Sequence, residues 1–214
     1  MNSNSDKNLI IIGASGFALE VFWLAKRAGY KIVGFLDDSD ECQGKEIFGV
    51  KVLGKVNSWV NFSTNQFVIA VGAPKTRKLI HAKMSGGEIE PDFATLIDPS
   101  AILGQDVKFG PGSIVCAGVI ATVFVNAGEH VIVNLNCTIG HETTISDFVT
   151  IAPLVAISGC VKIEKLVEVG TGAVIRQGLV LGASSMLGMG GVLTKNIPEN
   201  SLFFGSPAKF VKTI

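Results

Sequence analysis

The chain has 214 residues, enough for one large domain or two small ones with a real core, and its 18 Lys+Arg balance 18 Asp+Glu. Zero formal charge argues against a nucleic-acid-binding face or an acidic tail. Four cysteines without CxxC spacing (Cys42, Cys116, Cys137, Cys160), a polar start "MNSNSDKN" with no signal-peptide core, and no apolar run near the roughly 20 residues that cross a bilayer predict a cytoplasmic protein without membrane insertion.

In chain order, "NLIIIGASGFALEVFWLAKRAGYKIVGFLDD" reads as strand, glycine turn, amphipathic helix and strand. The helix is predicted over Phe17–Arg27, with Val21, Leu24 and Ala25 on one face and Gly29 where it stops. The turn Gly13-Ala14-Ser15-Gly16 offers backbone N–H groups and a helix N-terminus to a phosphate. It is not a full GxGxxG, however, and such turns also join strand to helix without any ligand. Asp37-Asp38, ending the second strand, would lie beside this turn and accept hydrogen bonds from a nucleoside. "NQFVIAVGAP" gives another strand ending at Gly72, and "KTRKLIHAKMSG" a helix stopped by Gly86-Gly87. This α/β segment is too short for a complete dinucleotide fold and suits a mononucleotide. Its boundary is expected near residue 95, giving domains 1–95 and 96–214.

From Leu103 to Leu193 every sixth residue is apolar, sixteen in succession without an insertion. Two positions earlier sits a small or β-branched residue (Val107, Val119, Val125, Val131, Cys137, Thr143), and glycine recurs one position later (Gly104, Gly110, Gly128, Gly140, Gly170, Gly182, Gly188). An α-helix needs a period near 3.6 and a half-buried strand a period of 2, so neither fits. A parallel β-helix does: short strands point an aliphatic residue inward, turns join them, and three hexapeptides make a coil of 18 residues.

The interior of such a coil is aliphatic, so chemistry must sit on outward positions. In "NCTIGHETTISDF" His141 follows the inward Ile139 by two residues, with Glu142 beside it. A carboxylate next to an imidazole can fix its tautomer and raise its basicity, the parts of a general base; a solvated polar turn is the bland alternative. One coil of 18 beyond His141 is Gly159, whose N–H is the kind of donor that stabilises an oxyanion in acyl transfer. Thr150 and Asn134 can each hydrogen-bond an acyl carbonyl or substrate. Only two histidines in the repeat, with no nearby cysteine ligand apparent, argue against a three-histidine zinc site of the carbonic anhydrase type, and no Ser or Cys has a recognisable neighbouring base; Cys137 reads as core.

The pieces "IIGASGFALEV", "GFLDD", "AVGAPKTRKLI", "FATLIDPSA", "VNLNCTIGHETTISDFVTIAP" and "GVLTKNIPENSLFFGSPAKFVK", in this order, resemble the bacterial sugar O/N-acetyltransferases of the hexapeptide-repeat, sialic acid acetyltransferase type. These include enzymes that acetylate the 4-amino group of nucleotide-linked deoxysugars. The resemblance implies a left-handed β-helix behind a Rossmann-like domain, a homotrimer, and acetyl-CoA lying between adjacent β-helices, with no metal. It makes His141 the general base and Glu142 its partner, and it gives Gly159 the thioester carbonyl. Thr150 would help hold the acetyl group. Thr171 and the segment Gly188-Met189-Gly190 would line the pantetheine channel, and "GSPAK", with Pro207 and Lys209, would lie near the nucleotide end of CoA. Ser15, Gly16, Phe17, Asp37, Asp38 and Gly72 would hold the nucleotide-sugar, with Asn134 near the acceptor. Histidines frequent in the family are replaced here by Thr150 and Phe17, which bears on substrate identity rather than reaction class.

The expected function is acetyl-CoA-dependent N-acetylation of a nucleotide-linked amino-deoxysugar, at C4, in surface polysaccharide or O-antigen synthesis. O-acetylation of a sialic acid or related sugar is the alternative within the fold. A non-catalytic trimeric sugar-nucleotide-binding scaffold is the alternative outside it.

Overall fold

The computed structural model describes residues 8–214, so residues 1–7, which carry nearly all of the polar start, lie outside the described residues. Two compact units meet in sequence at Leu96 and Ile97. Among the described residues no helix is long and apolar enough to cross a membrane.

The first unit runs β1 (Asn8–Ile12), α1 (Phe17–Arg27), β2 (Lys31–Leu36), β3 (Glu46–Ile47), β4 (Val50–Gly54), β5 (Gln66–Ile69), α2 (Pro74–Met84) and β6 (Asp92–Phe93). The sheet order is β3-β4-β2-β1-β5-β6, parallel except for the β3/β4 pair. Leu9 to Ile12 are all buried, because a central parallel strand is covered on both faces. Helix α1 ends where Gly29 predicts: Tyr30 N–H reaches back to Ala25 O (3.0 Å) and Gly29 N–H to Lys26 O (3.1 Å), with Gly29 at φ 82°. This double closure satisfies carbonyls that would otherwise be orphaned. The chain leaves β1 toward β2 on one side, while β5 adds on the other. The order reverses there, and the crevice beyond the carboxyl ends of these strands is where such sheets bind ligands.

In the second unit, two-residue strands recur every six residues on three faces of a left-handed parallel β-helix. The first face begins with Leu96–Ile97, the second with Ile102–Leu103 and the third with Lys108–Phe109. Partners are one coil apart, as in Thr138 with Ala156 and Ile139 with Ile157. Each hexapeptide buries two side chains rather than the one expected: the second strand residue and the turn residue two before it, as in Val119 and Ala121 or Cys137 and Ile139. The turn bends enough to aim its last side chain into the core.

Three residues beyond each inward strand residue from Leu103 to Leu187, the backbone enters the left-handed region, at non-glycine residues such as Phe124 (φ 54°), Glu142 (φ 57°) and Cys160 (φ 57°). Non-glycine residues bear this at a cost. Here a hydrogen bond to the coil below offsets it: Glu142 N–H to Val123 O (3.1 Å) and Cys160 N–H to His141 O (2.8 Å). The recurring glycines have a steric reason, since a Cβ on Gly140 would stand 2.5 Å from the Gly159 backbone nitrogen.

The outer faces differ. Lys108, Asn126, Thr144 and Lys162 make the third face polar, whereas the second presents Ile102, Ile120 and Val174, exposed to 62%, 39% and 44%. The last coil is covered on every face by the tail. Ile197 bridges Leu181 on the third face, Gly205 O and Ala208 N–H bond Val192 on the second, and Ser201–Phe204 pairs with Met186–Leu187 on the first. Lys209–Thr213 then returns antiparallel to Ser201–Phe204.

Candidate active site

Ile139 points into the core, so Gly140, His141 and Glu142 turn the corner from the second face to the third. The imidazole is about half exposed (48%), and its Nδ1 lies 3.0 Å from Glu142 Oε2. An ionised carboxylate only accepts, so Nδ1 carries a proton, and in the neutral ring Nε2 keeps the lone pair. The left-handed turn at Glu142 bends its side chain back toward the ring.

One coil on, a Cβ at Gly159 would stand 2.4 Å from Nε2, so the imidazole tip lies across a bare Cα. The Gly159 N–H donates to no group among the described residues. The same turn position elsewhere is closed by carboxylates: Asp147 accepts from Glu129 N–H (2.9 Å) and Glu164 from Ala183 N–H (2.8 Å). A lone pair and an unspent donor therefore stand together, the pairing needed to take a proton and steady an oxyanion.

Cys160 completes this corner and was missed from the sequence, although the step of 18 that leads from His141 to Gly159 leads equally from Glu142 to Cys160. Its Sγ lies 3.6 Å from Glu142 Oε2 and 3.9 Å from His141 Nδ1. Burial against the turn and then the Glu142 charge push the thiol up from its ordinary range, so it stays protonated.

Other predicted residues lie elsewhere on the coil. Thr150 is on a first-face strand and nearly buried, 8% exposed. Asn134, Thr171 and Gly188 to Gly190 occupy the corner between the first and second faces, at the opposite edge of the second face from His141. Asn134 Oδ1 is taken by Leu135 N–H (2.7 Å), while Thr171 and Met189 are exposed. Pro207 and Lys209 belong to the closing hairpin, with a cis peptide between Ser206 and Pro207.

In the first unit a cavity of about 260 Å³ opens at the strand switch, lined by Ile12, Gly13, Asp37, Asp38, Val56, Val71, Thr76 and Ile80. Asp37 and Asp38 were expected there; Val56, Thr76 and Ile80 were not. Ser15, Gly16, Phe17 and Gly72 do not line it, and Gly72 O instead accepts from buried Arg77 (2.9 Å). Asp37 pins the glycine turn, its Oδ2 accepting from Ala14 N–H and its Oδ1 from Ser39 N–H, both at 2.8 Å. Asp38 accepts from Val56 N–H (2.9 Å) and pairs with Lys83 (2.7 Å). Both carboxylates thus spend part of their acceptor capacity on the fold.

Residues 8–84 match the PglD N-terminal domain family. Over 96% of this chain and 100% of the other, the structure is similar to the acetyltransferase domain of PglB from Neisseria gonorrhoeae FA1090 in complex with acetyl coenzyme A, with a TM-score of 0.88 and 31% identity. The chain belongs to the hexapeptide-repeat sugar acetyltransferase family. Two further structures share this acetyltransferase fold. WeeI from Acinetobacter baumannii AYE has a TM-score of 0.82 and 25% identity over 96% of this chain and 100% of that one. PerB from Caulobacter crescentus, in complex with CoA and GDP-perosamine, has a TM-score of 0.86 and 23% identity over 97% and 98%.

Proposed function

We propose that this acetyltransferase moves the acetyl group of acetyl-CoA to the C4 amino group of a nucleotide-linked amino-deoxysugar, in the synthesis of a surface glycan such as O-antigen. One observation carries the reading: His141, its Nδ1–H held by Glu142, presents Nε2 beside the open Gly159 N–H. The amine nitrogen attacks the thioester carbonyl, His141 Nε2 takes the proton it sheds, and the carbonyl oxygen gathers charge against the Gly159 N–H. The C–S bond then breaks, CoA leaves as the thiol with that proton, and the amide remains. The base and the amide donor cover every charge change, so no metal is assigned to the reaction. The first-unit cavity, with its two carboxylates and glycine turn, is the proposed nucleotide site.

The proposed assembly is a homotrimer, supported by the aliphatic second face. Around a threefold axis, one edge of this face meets the opposite edge on the next copy, a heterologous contact that closes a ring. His141 and Gly159 of one copy then face Thr171 and Gly188 to Gly190 of its neighbour, where the pantetheine arm would lie, with Thr150, Pro207 and Lys209 the remaining proposed cofactor contacts. A cytoplasmic setting is supported by Cys42, Cys116, Cys137 and Cys160 all being free thiols.

The test is a screen of UDP-, dTDP- and GDP-linked amino sugars with acetyl-CoA, following release of free thiol. A product stable to mild base is the amide; a base-labile product is the ester and replaces the amine by a hydroxyl acceptor. No thiol release with any sugar, in a chain shown to bind acetyl-CoA, overturns the reading.

A further inference from the structure

The corner that frames the base also frames something else. Cys160 Sγ, His141 Nδ1 and Glu142 Oε2 form a triangle with sides of 3.0 Å (N to O), 3.6 Å (S to O) and 3.9 Å (S to N). A tetrahedral zinc ion, with bonds of about 2.0–2.2 Å to nitrogen and oxygen and about 2.3 Å to sulfur, spaces such ligands by roughly 3.3–3.6 Å. The triangle needs only a few tenths of an ångström of adjustment, and two of its corners are exposed side chains free to make it. Among the described residues this is the one cluster of three or more His, Cys, Asp and Glu side chains whose donor atoms converge in this way. The set is also chemically apt: imidazole, carboxylate and thiolate are each zinc ligands, and three of them leave a fourth position for water.

We propose that His141, Glu142 and Cys160 form a Zn2+ site whose occupation switches the base off. The ion accepts lone pairs from Nδ1, Oε2 and Sγ. The thiol proton leaves to solvent, and the Nδ1 proton passes through water to Nε2, so one proton is released for each ion bound. The imidazole then presents an N–H at Nε2 and has no lone pair with which to take a proton from an acceptor. The blocking role rests on the acetyl-transfer reading; the binding site does not.

The full chain is titrated with Co2+, which reports thiolate ligation by a charge-transfer band and four-coordination by intense d–d bands, and Zn2+ is then added to displace it. One Co2+ per chain is expected, with both signals lost in Cys160→Ser and weakened in Glu142→Gln. The apparent Zn2+ dissociation constant of Cys160→Ser should rise by at least what loss of an outer-shell partner costs, on the order of 10–100-fold. Cys42→Ser, which removes the other partly exposed thiol, should keep the bands. No bands in the unaltered chain, or bands that persist in a folded Cys160→Ser, overturn the site. With an accepted sugar, Zn2+ should stop turnover reversibly by chelator, and Cys160→Ser should need more of it. Where no sugar is accepted the cobalt bands still decide the site. Where the bands form and turnover ignores Zn2+, the switch is overturned and the acetyl-transfer reading stands.

Discussion

In the proposed reaction His141 serves as the base by position rather than by type. His81 sits in α2 with its Nε2 3.4 Å from Ser85 Oγ, and His130 is buried and stacks on Phe148 with ring centroids 5.1 Å apart, whereas His141 stands half exposed at a corner with Glu142 at its Nδ1. Replacing His141 by Ala should lower turnover by a factor on the order of 10²–10⁴ while the circular dichroism spectrum stays that of the native coil. Gly159→Ala tests the geometry more finely. Its methyl carbon would stand 2.4 Å from Nε2 and must push the ring aside. A displacement near 1 Å can cost on the order of 10² in rate, and steady-state kinetics on the purified variant should show it. Wild-type turnover in Gly159→Ala would sink the placement of the base.

Elements differ in how far their sequence reveals them. Helix α1 was readable to its last residue because Gly29 closes it locally, and the six-residue period located the coil strands from Ile102–Leu103 to Val192–Leu193 because each hexapeptide repeats the same inward demand. His141, Glu142 and Gly159 came together in the reading by simple arithmetic of 18. Cys160 was open to the same arithmetic and escaped because a thiol at a turn has no signature of its own. Thr76 and Ile80 were beyond reach for a different reason: they share one side of α2, but which side meets the cavity depends on how the helix packs on β5 and on the segment carrying Val56. The Asp38–Lys83 pair joins the end of β2 to α2, and its pH dependence can be worked out. Burial raises Asp38, but the Lys83 hydrogen bond, the Val56 N–H and the charges of Lys83 and Lys55 outweigh it, so the carboxyl ends below its ordinary value. A lowered folded value means stability that is complete above the ordinary carboxylate range and lost as pH falls through Asp38's own value. Lys83→Met should therefore cost about 0.2–1 kcal/mol near neutrality, as expected for a partly exposed pair, and much less in acid. Denaturant midpoints of both proteins across pH check this; a gap that persists in acid would contradict it.

At the scale of the whole molecule, the proposed trimer depends on a face that has no reason to be aliphatic in isolation. Placing a lysine at Val174, exposed on the second-last strand of that face, should leave the coil intact and shift sedimentation from trimer to monomer, with loss of turnover because the two edges of the face no longer meet. A trimer that survives Val174→Lys would place its interface elsewhere. The tail over the last coil has a consequence of its own. Every rung of the ladder is bonded to the next at a spacing near 4.8 Å, and nothing in that pattern says where growth should end. The stretch from Ile197 to Thr213 covers all three faces of the final turn and makes the structure self-limiting. Solenoids need such ends blunted, and bare rungs are templates for further strands. A chain cut before Ile197 should associate with a strong dependence on concentration, visible by light scattering at levels where the full chain stays dispersed. The same ladder that closes one molecule would then run on into a polymer.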